Sequence, residues 1–331
     1  MTVFTVDELW LDGWRGRAAV ASDGSSCRLA RPGDPHPEGH LEGTVFPGFR
    51  DSHVHLGLID GTRLMAGGIA AVDDFGWSLD VARGWPGAAG LPIVTMAGQL
   101  LTAPGGYPTA SGWAPPGAAL EIDGPDAAAA AVDAQLEAGA GFIKVALNSD
   151  AGPVLSDDTL NAVVARAHER RVIVAAHAQG VGQAQRAFGS GVDRLAHTPW
   201  SERLSDELLS AMSHSTTWVS TLDIHGWGDY GDDFATASDN LRRFHAAGGR
   251  IRYGTDLGNG PLPLGVNKRE LLSLERAGLD PDALAAAIAP AGASGLGRYL
   301  SHIPPDGRER SATWISSARL IDTQHIKEHL T

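Results

Sequence analysis

From Val45 onward, short apolar runs alternate with longer stretches whose apolar residues recur every three or four positions. The runs predict strands at Val45–Arg50, Ile69–Phe75, Pro92–Ala97, Phe142–Leu147, Val172–Ala176, Val192–Ala196, Thr217–Leu222 and Ile251–Gly254. The longer stretches predict helices at Asp126–Ala138, Asp157–Arg170, Ser205–Met212, Asn267–Ala277 and Pro281–Ile288. Ser156 ahead of Asp157, Asp158 and Thr159 is an N-cap with an acidic first turn, and Pro281 suits a first helical position. Eight apolar strands alternating with helices predict a parallel sheet closed as a (β/α)8 TIM barrel, with a doubly wound open sheet as the alternative. Unbroken apolar strands suit burial on both faces in either case.

The two ends of the chain follow another rhythm. Thr5–Leu11 and Arg17–Val20 read as strands about an Asp12-Gly13 turn, and Arg31–Pro37 as a loop. His36 and His40 fall in that loop region and read as solvated surface. Near the other end, Ala312–Ile315 reads as a strand and Asp322–Leu330 as a terminal helix. Residues 1–45 and 300–331 are therefore expected to form one small β-domain, discontinuous in sequence, beside a catalytic barrel of residues 46–299.

In such a barrel, chemistry gathers where strands end. His53 and His55 close the first run, and alternation puts both on one face, at a spacing able to grip one metal ion. Lys144 sits inside the fourth run, His177 and His197 end the fifth and sixth, and Asp256 ends the eighth. Each has a bland reading alone, but together they make a metal site. The chain has only three lysines, Lys144, Lys268 and Lys327, which makes one in an apolar run notable. An ammonium has no lone pair for a metal. Burial favours the neutral amine, which can add carbon dioxide to become a carbamate, an anion with two oxygens able to bridge two ions.

Composition narrows the function classes. The hydrophobic fraction of 43% and charged fraction of 20% suit a packed globular chain. A formal charge of -13 argues against a nucleic-acid partner. Cys27 is the one cysteine, so no intramolecular disulfide forms. No apolar stretch suits a bilayer, and Met1–Phe4 is followed by acidic residues rather than a signal-peptide pattern. A cytoplasmic protein with a small-molecule substrate, no membrane partner and an open oligomeric state, a homo-oligomer included, is expected.

Taken together, Pro47-Gly48-Phe49-Arg50-Asp51-Ser52-His53-Val54-His55, Phe142-Ile143-Lys144-Val145, Ala175-Ala176-His177-Ala178-Gln179-Gly180, Gly191–His197 and Gly254-Thr255-Asp256 resemble the amidohydrolase superfamily. The branch they resemble is the binuclear one with a carboxylated lysine, in its imidazolonepropionase-related and Xaa-Pro dipeptidase-like group. Ala97–Tyr107 matches a further loop of that group, ending Gly-Gly-Tyr where relatives commonly have Gly-Gly-His. The resemblance implies two divalent metal ions, most often zinc. His53, His55 and Asp256 would hold one, His177 and His197 the other, and carboxylated Lys144 would bridge them beside a hydroxide. It further implies hydrolysis of an amide or cyclic amide, such as an N-acyl amino acid or dipeptide, with Asp256 as general base and then acid.

The strand that relatives write Ala-Asp-Leu-Val is here Ala312-Thr313-Trp314-Ile315. Loop residues Gln99, Tyr107, Asn148, Trp200, His225 and Asn259 are candidate substrate contacts. Trp113, Trp200 and Trp227 could wall a pocket, and Asp223 or Asp229 could select a cation. A lactonase or esterase on the same site is an alternative. So is a heterocycle deaminase, although such enzymes mostly use one metal and lack the strand-four lysine. A metal-free scaffold relative is the non-enzymatic alternative.

Overall fold

The computed structural model describes residues 1–290 and 295–331. Eight parallel strands follow the expected alternation: Arg50–Val54, Ala71–Asp74, Ile93–Met96, Ile143–Asn148, Val174–Gln179, Arg194–Leu195, Thr217–Val219 and Arg250–Arg252. The first three pair in order, as do the last five. Two further hydrogen-bonded seams close the ring. Gly141 N donates to the Met96 carbonyl at 2.9 Å, joining the third strand to the fourth. Ser52 N donates to Tyr253 O at 2.9 Å and His55 N to Leu257 O at 2.8 Å, joining the first to the eighth. The result is the expected barrel. Short strands Leu100–Thr102 and Ala119–Glu121, absent from the sequence reading, extend the sheet beside the fourth strand.

Helices cover the outside, each for a local reason. Ser156 accepts from Thr159 N, Ser205 from Leu208 N and Asp280 from Ala283 N, so all three begin on side-chain caps. Inside the barrel, Phe75, Ala97, Phe142, Ala175, Ala196 and Val219 form one buried apolar layer. They alternate with residues facing the helices, as strand geometry requires.

Both chain ends build a six-stranded sheet in the order Arg319–Asp322, Tyr299–Ile303, Gly39–Pro47, Thr2–Leu9, Ala18–Ser22, Cys27–Leu29. Phe46 and Trp314 share the barrel's outer core with Phe49, Leu271 and Ile315, which fastens the sheet to the barrel. Among the described residues, no helix is long and apolar enough to cross a membrane.

Five expectations need correction. Val45–Arg50 is divided, because Gly39–Pro47 belongs to the six-stranded sheet and the first barrel strand starts at Arg50. His53 therefore lies within that strand. Thr217–Leu222 stops at Val219, since Thr221 takes a positive φ of 44° and Leu222–Ile224 forms a 3-10 turn. Ala312–Ile315 is a helical turn, begun by Ser311 accepting from Trp314 N. Asp322 ends a strand, and Thr323–His329 is a 3-10 segment rather than an α-helix. His40, expected in a loop, lies in a strand beside Thr5 and Asp7.

Trp218 anchors the seventh strand by stacking on Phe244 of the helix Asp232–Ala246, with ring centroids 3.9 Å apart and planes 5° from parallel. Trp218→Ala is expected to cost about 3–5 kcal/mol of stability through the cavity it leaves. Chemical denaturation checks this, and a loss below about 1 kcal/mol would deny that anchor.

Candidate metal centre

Five of the six expected ligand residues arrive at the C-terminal mouth of the barrel as buried side chains centred on the sixth, Asp256. His53 Nε2 lies 3.0 Å, and His55 Nε2 3.4 Å, from Asp256 Oδ1. The His53 ring stands 4.7 Å from that of His197, which in turn stands 5.0 Å from that of His177. Ligand atoms of His53, His197 and Asp256 all lie within 4.8 Å of one another. Lys144 Nζ sits 4.6 Å over the Phe75 ring, and the other face of the site is close by, because Phe75 also stacks on His53.

The surroundings decide which ring nitrogens are free. His53 Nδ1 donates to Ala196 O at 2.8 Å, and His55 Nδ1 to Gly76 O at 3.2 Å. Each bond turns Nε2 towards Asp256. His197 Nδ1 lies 2.9 Å from Thr221 Oγ1, again leaving Nε2 to the centre. His177 differs. Its Nε2 donates to Gln179 Oε1 at 3.2 Å, the same oxygen that accepts from Asn148 Nδ2 at 2.9 Å, so Nδ1 keeps the lone pair.

Burial sets the charges. It pushes His53 down to about 4 against the pull of Asp256, so this imidazole is neutral at pH 7. Burial likewise lowers His177 to about 3 and His197 well below its ordinary value. His55 is raised: burial opposes its charge, but the Asp256 carboxylate 3.4 Å away, helped by Asp74, outweighs it. Asp256 itself is held well below the carboxylate range: burial opposes ionisation, but His53, His55 and His197 overcome it. Burial lowers Lys144 to about 7, with Asp256 pulling the other way.

Neutral His53 with Nδ1 donating presents a lone pair at Nε2. Asp256 Oδ1 presents another, 3.0 Å away, and neither atom has an aligned hydrogen-bond partner among the described residues. Two buried acceptors facing each other repel unless a cation joins them. This donor set of imidazoles and a carboxylate suits a divalent ion such as zinc.

The expected substrate contacts divide into two groups. Tyr107 stacks at 5.1 Å on His177 and accepts from Trp113 Nε1, while Trp113 meets His55 edge-on at 5.3 Å. Trp200 lies 5.5 Å from His197 and 5.0 Å from His225, whose Nε2 is buried without a partner among the described residues. These aromatic rings wall the centre. Gln99, Asn148 and Asn259 are instead tied into the frame. Gln99 donates to Gly117 O, Asn148 to Gln179, and Asn259 Nδ2 to Asp256 Oδ2 at 2.8 Å. Asp223 is no cation selector, because Asn267, Arg269 and Tyr230 saturate its buried carboxylate. Trp227 and Asp229 are exposed.

Sequence reasoning missed the orienting residues Thr221, Gln179 and Asp51. Gln179 carried a signal, since it lies two residues after His177 on the same face of the strand. Thr221 and Asp51 carried none, because their partners come from distant strands.

An uncharacterized protein of Mycobacterium tuberculosis (strain ATCC 25618 / H37Rv) is 28% identical over 240 residues, 65% of this chain and 62% of that protein's length. The chain thus spans less than two thirds of the curated relatives it matches. Its fold is similar to that of a Xaa-Pro dipeptidase solved with bound methionine (TM-score 0.76, 19% identity, 100% of this chain and 99% of that one). The A. niger ochratoxinase is similar too (TM-score 0.74, 18% identity, 100% and 93%). Residues 44–305, most of the chain and all of the barrel strands described above, match the Amidohydrolase family, and the protein belongs to that family.

Proposed function

We propose that the protein is a metal-dependent hydrolase of a carbon–nitrogen bond in a small molecule, an amide or cyclic amide. The observation that carries this reading is the pair of unpartnered acceptors, His53 Nε2 and Asp256 Oδ1, buried 3.0 Å apart. Membership of the Amidohydrolase family supports it. Divalent ions at this place, zinc being expected, acidify water and polarise a carbonyl. His53, His55 and Asp256 would hold one ion, and His177 and His197 a second.

Lys144 would serve both as its carbamate. Its neutral amine attacks the carbon of carbon dioxide and releases one proton, and the resulting anion has two oxygens to share. A lysine lowered to about 7 by burial suits that addition at neutral pH. Asp256 stays ionised in the apolar mouth of the barrel, so it can accept a proton from water during attack and return it to the leaving nitrogen. Asn259 fixes its second oxygen for that transfer. Tyr107, Trp113, Trp200 and His225 would form the substrate wall, whereas Gln99, Asn148 and Asn259 would act by positioning neighbours. The fold shared with a Xaa-Pro dipeptidase makes dipeptides and N-acyl amino acids the first substrates to try, beside cyclic amides and lactones.

Metal-loaded protein is expected to contain about two ions per chain by elemental analysis. Asp256→Asn should abolish turnover of whichever amide is cleaved while keeping much of that metal. Near-normal turnover in this variant would reject the assigned role, and metal-free protein that still hydrolyses would reject the whole reading. Lys144→Ala should lose metal and activity, with partial rescue by short carboxylic acids.

Lys144 also predicts a stability slope in metal-free, carbon dioxide-free buffer. Between about 7 and its ordinary 10.5 the folded chain binds fewer protons at this residue than the unfolded chain. Stability therefore rises with pH across that window, and the penalty of the buried charge is complete below it. Urea melts at several pH values should show a flatter slope for Lys144→Met. Equal slopes in the two proteins would mean that the amine is not held neutral.

A further inference from the structure

Below its apolar layer the barrel interior becomes basic. Asp73, Thr95, Arg194 and Arg252 each precede by two positions an inward-facing residue at or just past the end of the strand: Phe75, Ala97 and Ala196 in the apolar layer, and Gly254, which abuts Val219 of that layer. Strand alternation therefore turns them into the barrel at its N-terminal end. With Arg50 and Ser52 they wall a cavity of about 290 Å³. The Arg194 guanidinium lies 5.9 Å from the Phe142 ring, on the underside of the apolar layer.

The charges in this cavity do not balance. Asp73 is the one carboxylate in its wall, and both of its oxygens are taken, Oδ1 by Arg50 and Oδ2 by Arg194 at 2.9 Å. Arg252 has no ion pair among the described residues, and Arg194 Nε is buried without a hydrogen-bond partner there. The buried carboxyl of Asp51, next in sequence to two of the lining residues, is committed to Thr255 and the His53 backbone. Burial, with Arg194, Arg50 and Arg250 nearby, brings Arg252 down to about 10 against the opposing pull of Asp73. Three guanidinium groups thus face one carboxylate, in a chain whose overall charge is -13.

We propose that this cavity binds a phosphate-class dianion, either inorganic phosphate or the phosphate group of a small monoester. Guanidinium forks match tetrahedral oxyanions in pairs of hydrogen bonds, and the Ser52 and Thr95 hydroxyls supply further donors. A dianion balances the two uncompensated charges. The apolar layer separates this place from the metal centre, so the bound anion is a structural or regulatory ligand and not the substrate. The inference stands independently of the hydrolase reading.

The test titrates inorganic phosphate into the full chain, with chloride at equal ionic strength as control, and follows melting temperature and calorimetric binding. A saturable rise beyond the chloride effect is expected. Arg252→Gln should weaken phosphate binding by roughly tenfold or more, the usual worth of a charge-assisted pair. Its melting temperature without phosphate should match or exceed that of the unaltered chain, because like-charge crowding is relieved. Arg252→Lys keeps the charge but loses the fork, and should bind with intermediate strength even if the glutamine variant misfolds. Glycerol phosphate binding more tightly than inorganic phosphate assigns the esterified form, and the reverse order assigns the free ion. No saturable response, or equal responses in the unaltered chain and both variants, would overturn the site. So would a melting temperature lowered by the same amount with and without phosphate, which marks Arg252 as structural only.

Discussion

One buried carboxyl group holds the first strand of the barrel to the last. Asp51 accepts from Thr255 Oγ1 at 2.6 Å, from Thr255 N at 3.0 Å and from His53 N at 3.1 Å. Thr255 and Asp51 are 204 positions apart, so this contact converts a linear series of strand–helix units into a ring. It also brings His53 and Asp256 together, since each is a close neighbour in sequence of one partner. The seam is tight. A Cβ on Gly254 would stand 2.3 Å from Val219 Cγ1 and 3.1 Å from His53 N, so only glycine fits. Burial pushes Asp51 up to about 7 despite these donors, which makes the joint costly as a bare charge and strong as a hydrogen-bonded one.

The barrel, and the gathering of the six candidate ligand residues at its mouth, were legible because both depend on local pattern. Runs such as Phe142–Leu147 are apolar on both faces only if both faces are covered, and their C-terminal ends point to one mouth. Lys144, His177, His197 and Asp256 could therefore be placed together without knowing any contact. What stayed hidden depends on long-range pairing. Val45–Arg50 reads as one apolar run, but its first half pairs with Tyr299–Ile303 and only its second half enters the barrel. Register with the second strand shifts between Asp51 and Val54, a bulge that no single-strand pattern announces. Ala312–Ile315 reads as a strand by composition, yet the Ser311 cap and Ala312 N donating to Glu275 draw it into a helical turn.

The orienting bonds of the four histidines follow one logic with a single exception. His53 and His55 spend Nδ1 on main-chain carbonyls, and His197 spends it on Thr221. His177 spends Nε2 on a glutamine already loaded by Asn148. Each ring thus has one nitrogen committed to a neighbour and one left over, which in His53 and His55 points inward to Asp256. Burial then removes the proton from the remaining nitrogen of His53, His177 and His197, because an imidazolium there would lack solvent. The backbone shares in this arrangement: Thr221 and Asp256 both take positive φ, 44° and 55°, at adjacent strand ends. Neither is glycine, so the surrounding contacts must hold them in a conformation that the free chain would avoid.

The apolar layer between Phe75 and Val219 gives the barrel two separate electrostatic compartments. Above it, the Asp256 carboxylate stands among four imidazoles, three of which burial keeps neutral. Below it, arginines outnumber carboxylates among the described residues of the cavity wall. The Lys144 amine rests on the Phe75 ring from one side and the Arg194 guanidinium faces the Phe142 ring from the other, so nitrogen groups meet aromatic rings on both surfaces of the same layer. A water-filled barrel would screen these charges from one another. A packed one does not, so each compartment keeps its own electrostatic character. The same filling that makes the barrel a stable core therefore keeps the charges of its two ends apart.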